Sequence, residues 1–74
     1  MDAKTVGQKL AELRRERGLT KKQVAKDLGC AYQSICSYEY GTRVPCDEMK
    51  SKLAKYYCAS VEYIFYTEKN YETK

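Results

Sequence analysis

Four residues punctuate the first thirty positions of this chain and leave its backbone few choices: Thr5, Gly18, Thr20 and Gly29. Each threonine opens a Thr-x-x-Gln pattern, Thr5 with Gln8 and Thr20 with Gln23, in which hydroxyl and amide satisfy free N–H groups at a helix start. Each glycine stands where a helix ends, because without a Cβ it takes the left-handed conformation that closes a last turn. Between these marks Val6, Leu10 and Leu13 recur at the spacing of one helix face, and Val24, Ala25 and Leu28 form the apolar side of the second segment. The pattern predicts helices over 5–17 and 20–28, joined through Gly18 and Leu19.

A third helix fits 31–40, with Ile35 and Tyr38 inward and Gly41 at its end. Its start is weak: Ala31 stands where Ser, Thr or Asp would cap, a loss of about 1 kcal/mol. Thr42 to Pro45 is a loop, since Pro45 pushes Val44 towards extended geometry. A fourth helix is expected over 46–57, with Asp47 and Glu48 favourably placed against the dipole at its start and Met49, Leu53, Tyr56 and Tyr57 inward. Ser60 is positioned to cap a fifth, over 61–65, carrying Val61, Ile64 and Phe65. No strand-length alternation appears. The expectation is an all-α domain of five short helices over 1–66, followed by a polar tail, 67–74, that frays although Tyr66 and Tyr71 have surface with which to dock. A chain of 74 residues supports one small core and leaves little room for an enclosed active-site cavity.

Catalysis has almost no raw material here. The chain has no histidine, so Ser–His and Cys–His nucleophiles are excluded and the commonest general base is missing. Its glycines are scattered, with no phosphate-cradling loop among them. Cys30, Cys36, Cys46 and Cys58 contain no Cys-x-x-Cys pair and none of the usual zinc spacings, so they are expected as small buried or half-buried residues, without metal or other cofactor. No secretory signal is visible, which argues against a disulfide framework. The longest run without a charge, Leu28 to Tyr38, is too short to span a bilayer, and a cytoplasmic protein is expected.

Charge is informative by its placement. Positions 1–45 carry nine lysines and arginines against five acids, whereas 46–74 carry five of each, so the whole net charge of +4 lies in the first part. A basic face of this kind suits a phosphate backbone or an acidic partner. Two short helices joined by a Gly-Cys-Ala connection describe a helix-turn-helix, although the same elements also suit other small helical bundles.

The string VGQKLAELRRERGLTKKQVAKDLGCAYQSICSYEYGTRVP narrows the choice. It resembles the Cro/phage-repressor (xenobiotic-response-element) helix-turn-helix family through L-x-x-L-R-x-x-R-G-L-T, Q-V-A-x-x-L-G and Q-S-I-x-x-Y-E-x-G, with a later S-V-x-x-I-F. The resemblance runs from about Val6 to Phe65. It implies that helix three is the recognition helix in the DNA major groove, with base-edge contact by Tyr32, Gln33, Ser34 and Ser37. A glutamine amide at Gln33 has the geometry to meet adenine N6 and N7 together, worth about 1–3 kcal/mol of discrimination; Ser34 and Ser37 serve equally well as ordinary solvated residues. Phosphate contact is implied for Thr20 and Lys21 at the start of helix two, where free N–H groups already favour an anion, and for Tyr40, Thr42 and Arg43 after helix three. Arg14 and Glu39 are implied as a partly buried ion pair between helices one and three; two unrelated surface charges are the competing reading. The chain departs from the family pattern at Ala31, which lacks the usual hydroxyl cap, and at Cys58, where glycine is usual. It departs also in helix three, which has no Arg or Lys with which to grip guanine.

The expected function is therefore a sequence-specific regulator of transcription on double-stranded DNA, a small repressor of phage, plasmid or mobile-element type. A cation-free recognition helix makes few contacts alone, so a homodimer on a near-palindromic operator is expected, paired through helix five and the tail by Tyr63, Phe65, Tyr66 and Tyr71. No second domain is in view to sense a small-molecule ligand. The rival readings are an antitoxin-like module that covers a protein partner, and a redox sensor built on Cys36 and Cys30; the second requires an exposed low-pKa thiol.

Overall fold

A computed structural model describes residues 3–66, so the polar tail and the docking of Tyr71 lie outside the described residues. Helices α1 (Ala3–Glu16), α2 (Lys21–Leu28), α3 (Tyr32–Tyr40) and α4 (Asp47–Tyr56) are followed by a π-helical turn, Glu62–Tyr66. No strand occurs among the described residues, in agreement with the all-α, five-helix reading.

The punctuation explains most boundaries. Gly18, Gly29 and Gly41 all have positive φ, and the N–H of Cys30 closes the end of α2 on the Ala25 carbonyl at 3.0 Å. Thr20 caps α2, its hydroxyl accepting from the N–H of Gln23 at 3.1 Å. The reciprocal half of that capping box is not formed, because the Gln23 amide donates instead to Asp27 at 2.8 Å. Thr5 does not open α1 as expected: the helix already begins at Ala3, which puts Thr5 inside its first turn. Ala31 makes no side-chain cap, and Cys58 takes the left-handed conformation at φ 56°. Ser60 accepts from the N–H of Tyr63 at 3.0 Å and so caps the final turn. That turn runs one residue later than the expected 61–65, in the wider π winding, and buries the neighbours Ile64 and Phe65 together.

The core gathers Val6, Leu10 and Leu13 of α1, Val24 and Ala25 of α2, Ile35 and Tyr38 of α3, Leu53, Ala54 and Tyr57 around α4, and Ile64 and Phe65. Leu28, Met49, Tyr56 and Val61 pack only at its edge. The inner face of α4 is instead the row Lys50, Leu53, Ala54, Tyr57, a helical spacing that includes a lysine. Lys50 is buried, with Nζ donating to the Tyr66 hydroxyl at 3.4 Å, lying 3.8 Å from Asp47 Oδ1 and 5.6 Å from the centre of the Phe65 ring.

Gly7 determines how closely α1 and α3 approach. A Cβ there would stand 2.7 Å from the Tyr38 carbonyl oxygen and nearer still to that of Glu39, so the two backbones meet with no side chain between them. Gly41 does the same at the other end of this contact, where a Cβ would lie 2.9 Å from the Cα of Lys4. The last turn of α3 is thus seated on the first turns of α1.

Candidate nucleic-acid interface

The pose of α3 is fixed from its C-terminal half. Arg14 Nε donates to Glu39 Oε2 at 2.8 Å and Nη2 donates to Oε1 at 3.2 Å, a two-pronged pair whose side chains are 12% and 5% exposed. Its remaining prong, Nη1, donates to the Leu19 carbonyl at 2.9 Å. One guanidinium therefore ties together α1, the connection to α2, and α3. The hydrogen bond to Glu39 raises the Arg14 pKa despite the opposing effect of burial. Arg17, one turn further on, donates to the Tyr57 carbonyl and lies over the Tyr57 ring, which links the end of α1 to the end of α4.

With that half anchored, the first turn of α3 projects outward. Tyr32 and Gln33 are exposed, Tyr32 to 45%. Ser34 and Ser37 are half-buried. The phenol of Tyr32 is held above its ordinary pKa, first by a hydrogen bond with Cys36 one turn along the helix. The uncapped N-terminus at Ala31 leaves early N–H groups of α3 without a side-chain acceptor at this same end.

The residues assigned to phosphate by sequence lie at the start of α2 and at the end of α3 with the loop that follows it. At the start of α2 the Thr20 hydroxyl accepts in its cap and keeps its own O–H to donate, and the Lys21 ammonium lies 5.1 Å above the ring of Tyr40, itself 69% exposed at the end of α3. Lys21 and Tyr40 thus come together from different helices. Thr42 donates to the Ser37 carbonyl at 3.3 Å, where the N–H groups of Gly41 and Thr42 also converge. Arg43 turns back along α3: its guanidinium carbon stands 5.6 Å from the centre of the Tyr38 ring, and Nη1 reaches the Ser34 hydroxyl at 3.5 Å.

Elsewhere, Asp27, Leu28, Lys52, Lys55 and Tyr56 line an open groove of about 380 Å³ between α2 and α4. Within it the Tyr56 hydroxyl donates to Asp27 at 2.6 Å. Burial, then this hydrogen bond, pushes the Tyr56 phenol up to about 12, while the same bond and that from Gln23 hold the Asp27 carboxyl below its usual range. The four cysteines are free thiols; Cys30 and Cys36 are half-buried as expected, whereas Cys46 and Cys58 are exposed. Burial pushes the Cys30 thiol upward, the opposite of what a redox sensor needs. Among the described residues no group of His, Cys, Asp and Glu is placed to hold a metal ion, and no helix is long and apolar enough to cross a membrane.

Sequence reasoning missed Gly7, Arg17 and Lys50. A glycine inside an amphipathic helix costs stability unless something must approach it, which was the available signal for Gly7. Lys50 was visible as a member of the row it shares with Leu53 and Tyr57. One interface residue is corrected: Phe65, expected on a dimer surface, is 2% exposed and belongs to the core. Tyr63 remains exposed beneath Lys9, whose ammonium is 5.1 Å from the ring centre, and Tyr66 is half-buried against Lys50.

A helix-turn-helix domain family matches residues 5–63. The chain is also 36% identical over 67 residues to the cryptic phage CTXphi transcriptional repressor RstR of Vibrio cholerae. That match covers 89% of this chain and 60% of the length of the relative. No solved structure matches the chain.

Proposed function

The chain belongs to the helix-turn-helix domain family, and from that premise we propose that it is a transcriptional regulator, a repressor of phage type, that binds double-stranded DNA through α3. The observation that carries this reading is the outward first turn of α3, with Gln33 exposed, on a helix whose other end is clamped by Arg14 and Glu39. A reading element has to be presented rigidly, because loose contacts discriminate poorly between bases. Tyr32, Gln33, Ser34 and Ser37 are the base-facing residues of the proposal, and Thr20, Lys21, Tyr40 and Thr42 hold the backbone; Arg43, expected among the latter, lies against Tyr38 and Ser34. The likeness to a phage transcriptional repressor supports the sign of regulation.

The protein acts in the cytoplasm as a homodimer, without cofactor, on a near-palindrome whose half-sites lie about 34–36 Å apart. Phe65 being in the core, the pairing surface among the described residues is formed by Tyr63 and Tyr66. Selection of bound sequences from random DNA tests the function. An enriched two-fold motif is the expected result. Failure to enrich any motif, with the protein folded, would reject DNA reading in favour of a protein partner.

A further inference from the structure

We infer that Arg43 is a base-reading residue, supplying from the loop the guanine-binding group that α3 itself lacks. The inference rests on the proposed DNA reading by α3. Helix α3 contains no lysine or arginine, so the commonest specific contact in the major groove, a cation gripping guanine O6 and N7, is missing from its own sequence. Arg43 follows the helix by three residues, and a side chain there is free in principle to reach away to a phosphate. In the structure it folds back along α3. Its guanidinium stands over the ring of Tyr38, 5.6 Å from the centre, and reaches nine residues back in sequence to the Ser34 hydroxyl at 3.5 Å.

Both contacts bear on function. Tyr38 is 5% exposed, so its ring is a fixed platform rather than a mobile neighbour. Stacking on such a face confines the planar guanidinium and reduces the freedom it would lose on meeting a base. Ser34 belongs to the proposed base-facing set, so the contact brings the charge beside the groove-facing surface. The serine occupies one N–H direction at most and leaves the others of the five-donor fork for a ligand. Guanine presents two acceptors in one plane on the major-groove edge, which a planar fork matches with two fixed N–H directions and a lysine ammonium meets only through a flexible point charge.

The experiment compares wild type with Arg43→Ala and Arg43→Lys by selection from random DNA, followed by salt titration on the selected and a scrambled duplex. Arg43 is exposed, so both variants are expected to fold, which circular dichroism checks. The wild type is expected to select guanine at one position per half-site. Arg43→Ala should lose that preference and bind the selected duplex at least tenfold more weakly, with the scrambled duplex little affected. Arg43→Lys should keep only part of the preference, since an ammonium still meets guanine but without the fixed plane of the fork. Equal weakening on both duplexes, with log K against log salt flattened by about 0.9 per half-site, would make Arg43 a phosphate holder and overturn the inference. Unchanged selection by Arg43→Ala would overturn it too. A wild type that selects no sequence would instead remove the DNA reading on which the inference stands.

Discussion

The two ends of the domain are held by different physics. Around α3, backbone meets backbone at Gly7, and a two-pronged Arg14–Glu39 pair closes over the contact. Around α4 and the final turn, a left-handed cysteine makes the bend and a buried lysine lies against Phe65 and Tyr66. The first arrangement is directional, since hydrogen bonds and close backbone approach tolerate little rotation or sliding. The second accommodates strain and a charge among rings that a different side chain would fill as well. The difference suits the proposed roles: a helix that reads bases must keep its pose, while the far end need only complete the core.

The largest test of that contrast is Arg14→Ala. It leaves Glu39 buried without its partner and strips the Leu19 carbonyl of a donor, an expected loss of about 2–4 kcal/mol by denaturant unfolding. Changing both Arg14 and Glu39 to apolar residues should cost less than the sum of the single changes. Additive losses in the cycle would mean that the pair contributes nothing through its contact.

Gly7→Ala comes next. Alanine favours a helix, but its methyl group collides with two carbonyl oxygens of α3, and a net loss of about 1–3 kcal/mol is expected from overpacking. Weakened operator binding should accompany it, because α3 must move away. A stabilised variant with unchanged binding would show that the close approach does not govern α3.

At the other end the sign reverses. Cys58→Gly relieves a left-handed conformation that glycine adopts freely, for a gain of up to about 1 kcal/mol after the flexibility glycine adds to the unfolded chain. A loss of stability would mean that the bend is not strained. The smallest effect expected is with pH. The Tyr56 phenol rises from an ordinary 10.0 to about 12, and Tyr57 is raised as well. Their contribution is complete below pH 10, where both states are protonated, and is lost as the pH climbs towards 12, because the unfolded chain ionises first. Tyr56→Phe should flatten this alkaline loss in thermal unfolding. An unchanged slope would remove Tyr56 as its source.

Helix ends were the most legible part of the sequence. Gly18, Gly29, Gly41 and Thr20 act through their own backbones or immediate neighbours, so local chemistry sufficed to place them. Thr5 misled because a cap depends on where the preceding residues go, and Ala3 and Lys4 were already helical. Phe65 misled for a different reason. Several aromatic residues close together in the last segment do not show which of them the core takes, so a core ring looked like surplus surface. Gly7 and Arg43 mark the further limit: which helix approaches Gly7, and which way the Arg43 side chain turns, depend on contacts distant in sequence. At the candidate site the residue types were legible one by one, and their pairing of Lys21 with Tyr40 and of Arg43 with Ser34 was not.

Gln33 tests the central claim most directly, being exposed on the first turn of α3 and chemically suited to adenine. The measurement is the affinity of wild type and Gln33→Ala for the selected operator and a scrambled duplex, each across a salt series. If α3 reads DNA, the variant loses about 1–3 kcal/mol on the operator and little on scrambled DNA, and its salt slope is unchanged. If it weakens both duplexes equally, α3 is not the reading element, and the rigid hold of Arg14 and Glu39 serves stability alone.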